Sequence, residues 1–231
     1  MLRSIGMVAL LVVVGFGQNC FADALFVITE AYQGVSGEDG TEDWFEVTNL
    51  GTMVGDTAVL WYDDSSADPT IAGNLDSFLL NPGESAVFVI GDDTDVSEFN
   101  SIWAGVANVG LTNGGGGLGG EDALFLFDSN DADASVVNSV GYRGLDNVLV
   151  APDTYATIQF DQFGNSFSSA LNDGVSAEFF NDNLSSPDDL IQLAGDPGTF
   201  EVVPEPSSVL LLVFGATAFV FRRSKGNLGF C

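Results

Sequence analysis

The residues best equipped for chemistry in this chain are its carboxylates. Asp128-Ser129-Asn130-Asp131-Ala132-Asp133 gathers acids and an amide in a turn-forming run, and Asp92-Asp93-Thr94-Asp95 with Glu98 forms a second cluster. Hard oxygen ligands of this kind suit Ca²⁺, and Asp128, Asn130, Asp131 and Asp133 are the candidate set. The run is not an EF-hand loop, since Ala132 holds its fifth position and the sixth lacks glycine. A solvated acidic turn is the competing reading. Two carboxylates also suffice for glycoside hydrolysis. Among 33 acids, however, nothing singles out a pair, and Trp44, Trp61 and Trp103 are too scattered to define a cleft. Gly114, Gly116 and Gly119 satisfy G-x-G-x-x-G, but a dinucleotide site needs a helix after that motif. Here the strand-like stretch 123–127 follows, with no Lys for a phosphate loop, so the glycine run reads as a flexible hairpin loop.

Composition removes most other chemistries. The 231 residues hold five Lys and Arg against 33 Asp and Glu, no His, and a net charge of -28. Without imidazole there is no Ser-His-Asp or Cys-His relay and no His metal ligand. A surface this acidic repels a phosphate backbone, which excludes nucleic acid as a partner.

The apolar residues and bases concentrate at the two ends. Residues 1–22 carry Arg3, an apolar run over 7–16, and small residues at Cys20 and Ala22. That is the pattern of a secretory signal cleaved by signal peptidase between Ala22 and Asp23. Lipoprotein processing at Cys20 is disfavoured, because Asn19 stands where a small residue is required. At the other end, Pro204-Glu205-Pro206 precedes an uncharged run and then Arg222-Arg223. A helix over 206–221 would be about 24 Å long, short against a hydrocarbon core of about 30 Å, with its arginines held in the cytoplasm. This tail resembles the PEP-CTERM sorting signals of bacteria that make extracellular polymer, although residues 224–231 extend further past the arginines than usual. The resemblance implies recognition by an exosortase, a transient stay in the inner membrane, cleavage near Pro204 to Pro206, and delivery to the cell surface or matrix.

Between these ends, residues 23–203 hold 32 of the acids and a single base, Arg143, for a net -31. There is no cysteine or Lys in this span, so neither a disulfide nor Schiff-base chemistry is available to it. Its length suits one domain with one core. Short apolar stretches at 24–29, 44–50, 57–62, 77–80, 85–90, 123–127, 136–142, 155–160 and 176–180 alternate with Gly, Asn and Pro turns. Nine predicted strands point to an all-β sandwich. One short helix is expected over 95–103, where Val96, Phe99 and Trp103 share a face.

Trp44-Phe45-Glu46-Val47-Thr48-Asn49-Leu50-Gly51 resembles the strand and turn that mark lamin-tail domains, which are immunoglobulin-like β-sandwiches. Val27-Ile28-Thr29-Glu30, Leu80-Asn81-Pro82-Gly83-Glu84, Val137-Asn138-Ser139-Val140-Gly141-Tyr142 and Gly195-Asp196-Pro197-Gly198 follow in that family's order. A long insertion over 143–169, and the lack of a Leu-Ser-Gly-Trp turn within 57–62, depart from it. The resemblance implies a binding or structural module with no catalytic residues. Together these readings describe an exported, non-catalytic surface or matrix protein acting in adhesion or extracellular polymer assembly, with polysaccharide or other matrix proteins as partners. A Ca²⁺-dependent carbohydrate-binding module is the alternative, and a secreted hydrolase the third reading.

Overall fold

The structure, a computed structural model, describes residues 23–34, 43–119, 121–143, 149–151, 154–161, 164, 166–168, 176–180 and 190–200. Ala22 and the rest of the expected signal segment lie outside the described residues. So do Pro204, Glu205, Pro206, Arg222, Arg223 and the expected helix over 206–221. No helix among the described residues is long and apolar enough to cross a membrane.

The described chain is mostly β-structure with one α-helix. In chain order the elements are β1 (Phe26–Tyr32), β2 (Trp44–Asn49), β3 (Gly55–Asp56), β4 (Trp61–Asp63), β5 (Gly73–Asn74), β6 (Leu79–Leu80) and β7 (Ser85–Val89). After α1 (Asp93–Ile102) come β8 (Val109–Leu111), β9 (Glu121–Phe127), β10 (Val136–Arg143), β11 (Leu149–Ala151) and β12 (Thr154–Ala156). β13 (Ile158–Phe160), β14 (Ser166–Ser168), β15 (Ser176–Phe180) and β16 (Leu190–Ala194) follow. A six-stranded sheet has the order β14-β13-β1-β2-β7-β8, and two four-stranded sheets run β10-β9-β4-β5 and β11-β12-β16-β15.

The first two of these sheets share one core. Phe26, Ile28, Phe45, Val47 and Phe88 from the six-stranded sheet pack with Tyr62, Leu124, Leu126 and Val140 from its partner. Phe45 sits 4.6 Å from Tyr62 and 5.7 Å from Phe88, ring centre to ring centre. The alternation along β2 predicts an inner face of Phe45 and Val47 and an outer face of Trp44, Glu46 and Thr48, and the faces do separate that way. All six residues of β2 are nevertheless buried, as are all of β1 and β7. α1 covers one end of the outer face, where Trp44 and Trp103, expected to be scattered, meet Phe99, Val87, Val89 and Leu193 in a second apolar cluster.

Two expected strands are revised. Residues 57–62 do not form one strand, because Asp56 caps a 3-10 turn at Thr57–Val59 and leaves only Trp61 and Tyr62 of that stretch in β4. The stretch 155–160 breaks at Thr157, so β12 and β13 belong to different sheets. The glycine run is likewise more than a flexible loop. Gly115 is buried and its carbonyl accepts from Asp64 N at 2.9 Å, while Leu118 enters the core and its amide donates to Asp43 Oδ2 at 2.6 Å. A strand follows it, as expected.

Candidate functional site

The outer face of β1 and β2 carries two acids with no access to solvent. Glu30 and Glu46 stand opposite one another in the antiparallel ladder and are 1% and 0% exposed. Simple alternation from Ile28 would turn Glu30 into the apolar core. The register instead shifts between Ile28 and Glu30. This bulge adds one residue to β1, and both Thr29 and Glu30 then address the outer face.

Neutral and backbone donors surround the pair. Thr29 Oγ1 donates to Glu46 Oε1 at 2.5 Å. Thr48 Oγ1 lies 2.8 Å from both Thr29 Oγ1 and Ser85 Oγ. Thr48 Oγ1 also reaches Glu46 Oε1 at 3.3 Å, so Thr29 and Thr48 both present hydroxyls to that oxygen and Ser85 extends the cluster. Glu30 Oε1 accepts from Thr157 Oγ1 and, at 3.2 Å, from Asp196 N. Glu46 Oε2 accepts from Gly198 N at 2.5 Å. Glu30 Oε2 is buried without a hydrogen-bond partner among the described residues.

Segment 195–200 is therefore a strap seated on the two carboxyls. Its Asp196 carboxylate also accepts from Gln159 Nε2. Burial pushes the Glu46 carboxyl up to about 7, against the opposing pull of the Thr29 and Gly198 hydrogen bonds. Burial and then the neighbouring Glu46 charge push Glu30 well above the ordinary carboxylate range. Two like charges sealed in a site of low polarity cannot both ionise cheaply, so protons are retained there.

The acids singled out by sequence lie elsewhere. Asp128, Asn130, Asp131 and Asp133 share one exposed hairpin turn between β9 and β10. Asp128 Oδ1 is used there in closing the turn, accepting from Ser135 N at 2.8 Å, while Ala134 N donates to Asp131 O at 3.0 Å. Among the described residues no group of three or more acidic side chains is arranged to hold a metal ion. Asp92 and Asp95 form a capping box at the start of α1. Asp92 Oδ1 accepts from Thr94 N at 2.7 Å, and that bond holds its carboxyl below the ordinary value. Asp23 is the first described residue and is exposed.

The remaining tryptophan stands on the outer face of the β10-β9-β4-β5 sheet. Trp61 pairs directly with Phe127, and the Phe125 and Phe127 rings stack 6.2 Å apart at 16°. Trp61 and Phe125 are half-buried, whereas Phe127 is buried.

The buried glutamate pair was not anticipated from sequence. A usable signal existed: each acid interrupts an apolar run, Thr29-Glu30-Ala31 in one strand and Phe45-Glu46-Val47 in the other. Comparison with known proteins adds no assignment, because no family model, curated protein or solved structure matches the chain.

Proposed function

We propose that this protein is an exported, non-catalytic component of the cell surface or extracellular matrix, sorted by an exosortase and built on an immunoglobulin-like sandwich of lamin-tail type. The observation that carries the sorting reading is the order Pro204-Glu205-Pro206, apolar run, Arg222-Arg223 behind an acidic domain that follows a signal-like start. Support for a non-catalytic role comes from the carboxyls themselves. The pair with the most perturbed acidity, Glu30 and Glu46, is closed to solvent and engaged by Thr29, Thr157 and the strap, so a substrate has no approach to it. Adhesion or polymer assembly then falls to the exterior, where a net charge of -28 favours hydrated, cation-bridged contacts.

The test is a change of address. Replacing Pro204, Glu205 and Pro206 together with Ala should leave the chain in the inner membrane, because the apolar run still inserts while release is lost. The unaltered protein should reach the surface or medium with Asp23 as its first residue and a shortened C-terminus. An altered chain that still arrives there shortened, or a mature protein lipidated at Cys20, defeats the assignment.

One observation favours the glycan-binding alternative. The aromatic face of Trp61 and Phe125 ends at Phe127, and the turn carrying Asp128, Asn130, Asp131 and Asp133 starts at the next residue. Flat apolar rings beside oxygen ligands are what a sugar and a Ca²⁺ ion would use. Calorimetric titration of the full chain with a neutral polysaccharide should then give heat in CaCl₂, lose it in EDTA, and lose it in Trp61→Ala. Absence of heat in all three arms removes this alternative.

A further inference from the structure

We infer that Glu30 and Glu46 form a proton-held latch: protons retained by the pair keep the strap of residues 195–200 seated on β1 and β2, and their loss in alkaline medium loosens it. The inference does not depend on the sorting or glycan readings.

The geometry makes the case first. Two carboxyls meet across a ladder, both sealed from water, and one oxygen, Glu30 Oε2, has no donor among the described residues. An ionised carboxylate left in that state is costly, whereas a carboxylic acid carries its own proton on the orphan oxygen. The surrounding elements offer no compensating cation. β1 contributes Tyr32 at the next outer position, β7 contributes Ser85, Thr157 precedes β13 and Gln159 lies in it, and the strap contributes Asp196, a third acid. No basic group acts on either carboxyl among the described residues. Both glutamates hold the strap by long-range bonds, Glu30 to Asp196 N and Glu46 to Gly198 N. Mutual repulsion of the ionised pair therefore strains the residues that seat it.

The sign follows from the raised values. Stabilisation by the pair is complete below the ordinary carboxyl value of 4.5, and it falls as pH rises through about 7 for Glu46. Glu30, raised well above its ordinary value, extends the loss to higher pH. An ordinary ion-paired carboxylate has the opposite dependence.

The experiment is amide hydrogen exchange of the full chain at about pH 5 and about pH 8, corrected for the intrinsic pH dependence of exchange and read on peptides covering 195–200. The unaltered protein should lose about tenfold or more in protection of the strap between the two conditions, with the amides of β9 much less affected. Glu30→Gln keeps the acceptor for Thr157 and Asp196 N and removes one charge and the mutual repulsion, so between the two conditions its strap should lose clearly less protection than the unaltered chain, the remainder being the titration of Glu46. Should that variant fail to fold, infrared spectroscopy of the unaltered chain supplies the second readout, as a protonated carboxyl C=O stretch that persists at about pH 6 and disappears by about pH 9. Equal protection at both pH values, loss in Glu30→Gln as large as in the unaltered chain, or absence of the protonated band at about pH 6 would overturn the inference. Restoration of protection at about pH 8 by CaCl₂ alone would overturn it in favour of a cation site.

Discussion

Replacing Asn49 with Ala should lower the melting temperature of the purified chain by about 10 °C or more, corresponding to about 3–5 kcal/mol. The side chain is fully buried at the end of β2 and uses its whole hydrogen-bonding capacity. Its Oδ1 accepts from Leu25 N at 3.1 Å and from Gly51 N at 2.9 Å. Its Nδ2 donates to Met53 O at 2.7 Å and to Leu80 O at 2.9 Å. One amide thus ties the start of β1, the turn after β2 and β6 together. Alanine would leave two donors and two acceptors without partners where water cannot replace all of them. Asn49→Asp should be at least as damaging, because it keeps the shape, loses both donors, and sets a charge against two carbonyl oxygens. Circular dichroism melts of the three proteins check this, and a loss of under about 1 kcal/mol in Asn49→Ala would show that the hub is dispensable.

Gly115→Ala should be the more disruptive of two glycine changes, costing about 3 kcal/mol or more. Its backbone φ is +98°, and a Cβ there would lie 2.3 Å from Tyr62 O and 2.5 Å from Tyr62 Cδ1. The carbonyl belongs to the central part of β4, which pairs with β9, so neither side of the contact can yield by a simple side-chain rotation. Gly83 is the control. Its φ is +82° but nothing lies within 4 Å of a built Cβ, so Gly83→Ala should cost only about 1 kcal/mol of backbone strain. Denaturant midpoints of the two variants separate strain from collision, and equal losses would show that the glycine run is as yielding as its composition suggests.

Alternation was enough to place Phe45 and Val47 in the core, whereas 123–127 is apolar at every position and its sequence did not mark Leu124 and Leu126 as the inward residues. Alternation could not reveal that the opposite face of β2 is covered too. That depends on α1, which begins at Asp93, well after β2 ends at Asn49, and on residues 195–200, which come from far downstream. Glu30 was hidden for a local reason, since a bulge changes the parity of a strand by one residue and leaves no mark in composition. The break at Thr157 was equally silent, because 155–160 is apolar or β-branched nearly throughout and sheet assignment is a matter of partners. The acidic runs suggested oxygen ligands for Ca²⁺, whereas in the fold Asp92 and Asp128 accept from backbone amides. Their use in capping α1 and closing the β9–β10 turn follows from spacing to backbone amides two to seven residues away. Asn49 was legible as a turn residue within its octet, but three of its four partners, Leu25, Met53 and Leu80, lie outside the octet.

The reach of the strap also bears on the order in which the chain can finish folding. Glu30 and Glu46 belong to the first two strands, yet their closing donors are 127 to 166 positions further on. A chain delivered N-terminus first, from a ribosome or through a membrane pore, would present β1 and β2 long before those donors emerge. Until then the outer face holds two carboxyls best left hydrated, so the first hairpin has reason to stay open to water rather than collapse onto itself. Loop closure over such a span is slow, and completion waits for the last tenth or so of the domain. The same acids that limit the finished domain's tolerance of alkali thus act as a delay, keeping a half-delivered chain from committing to a stable partial structure.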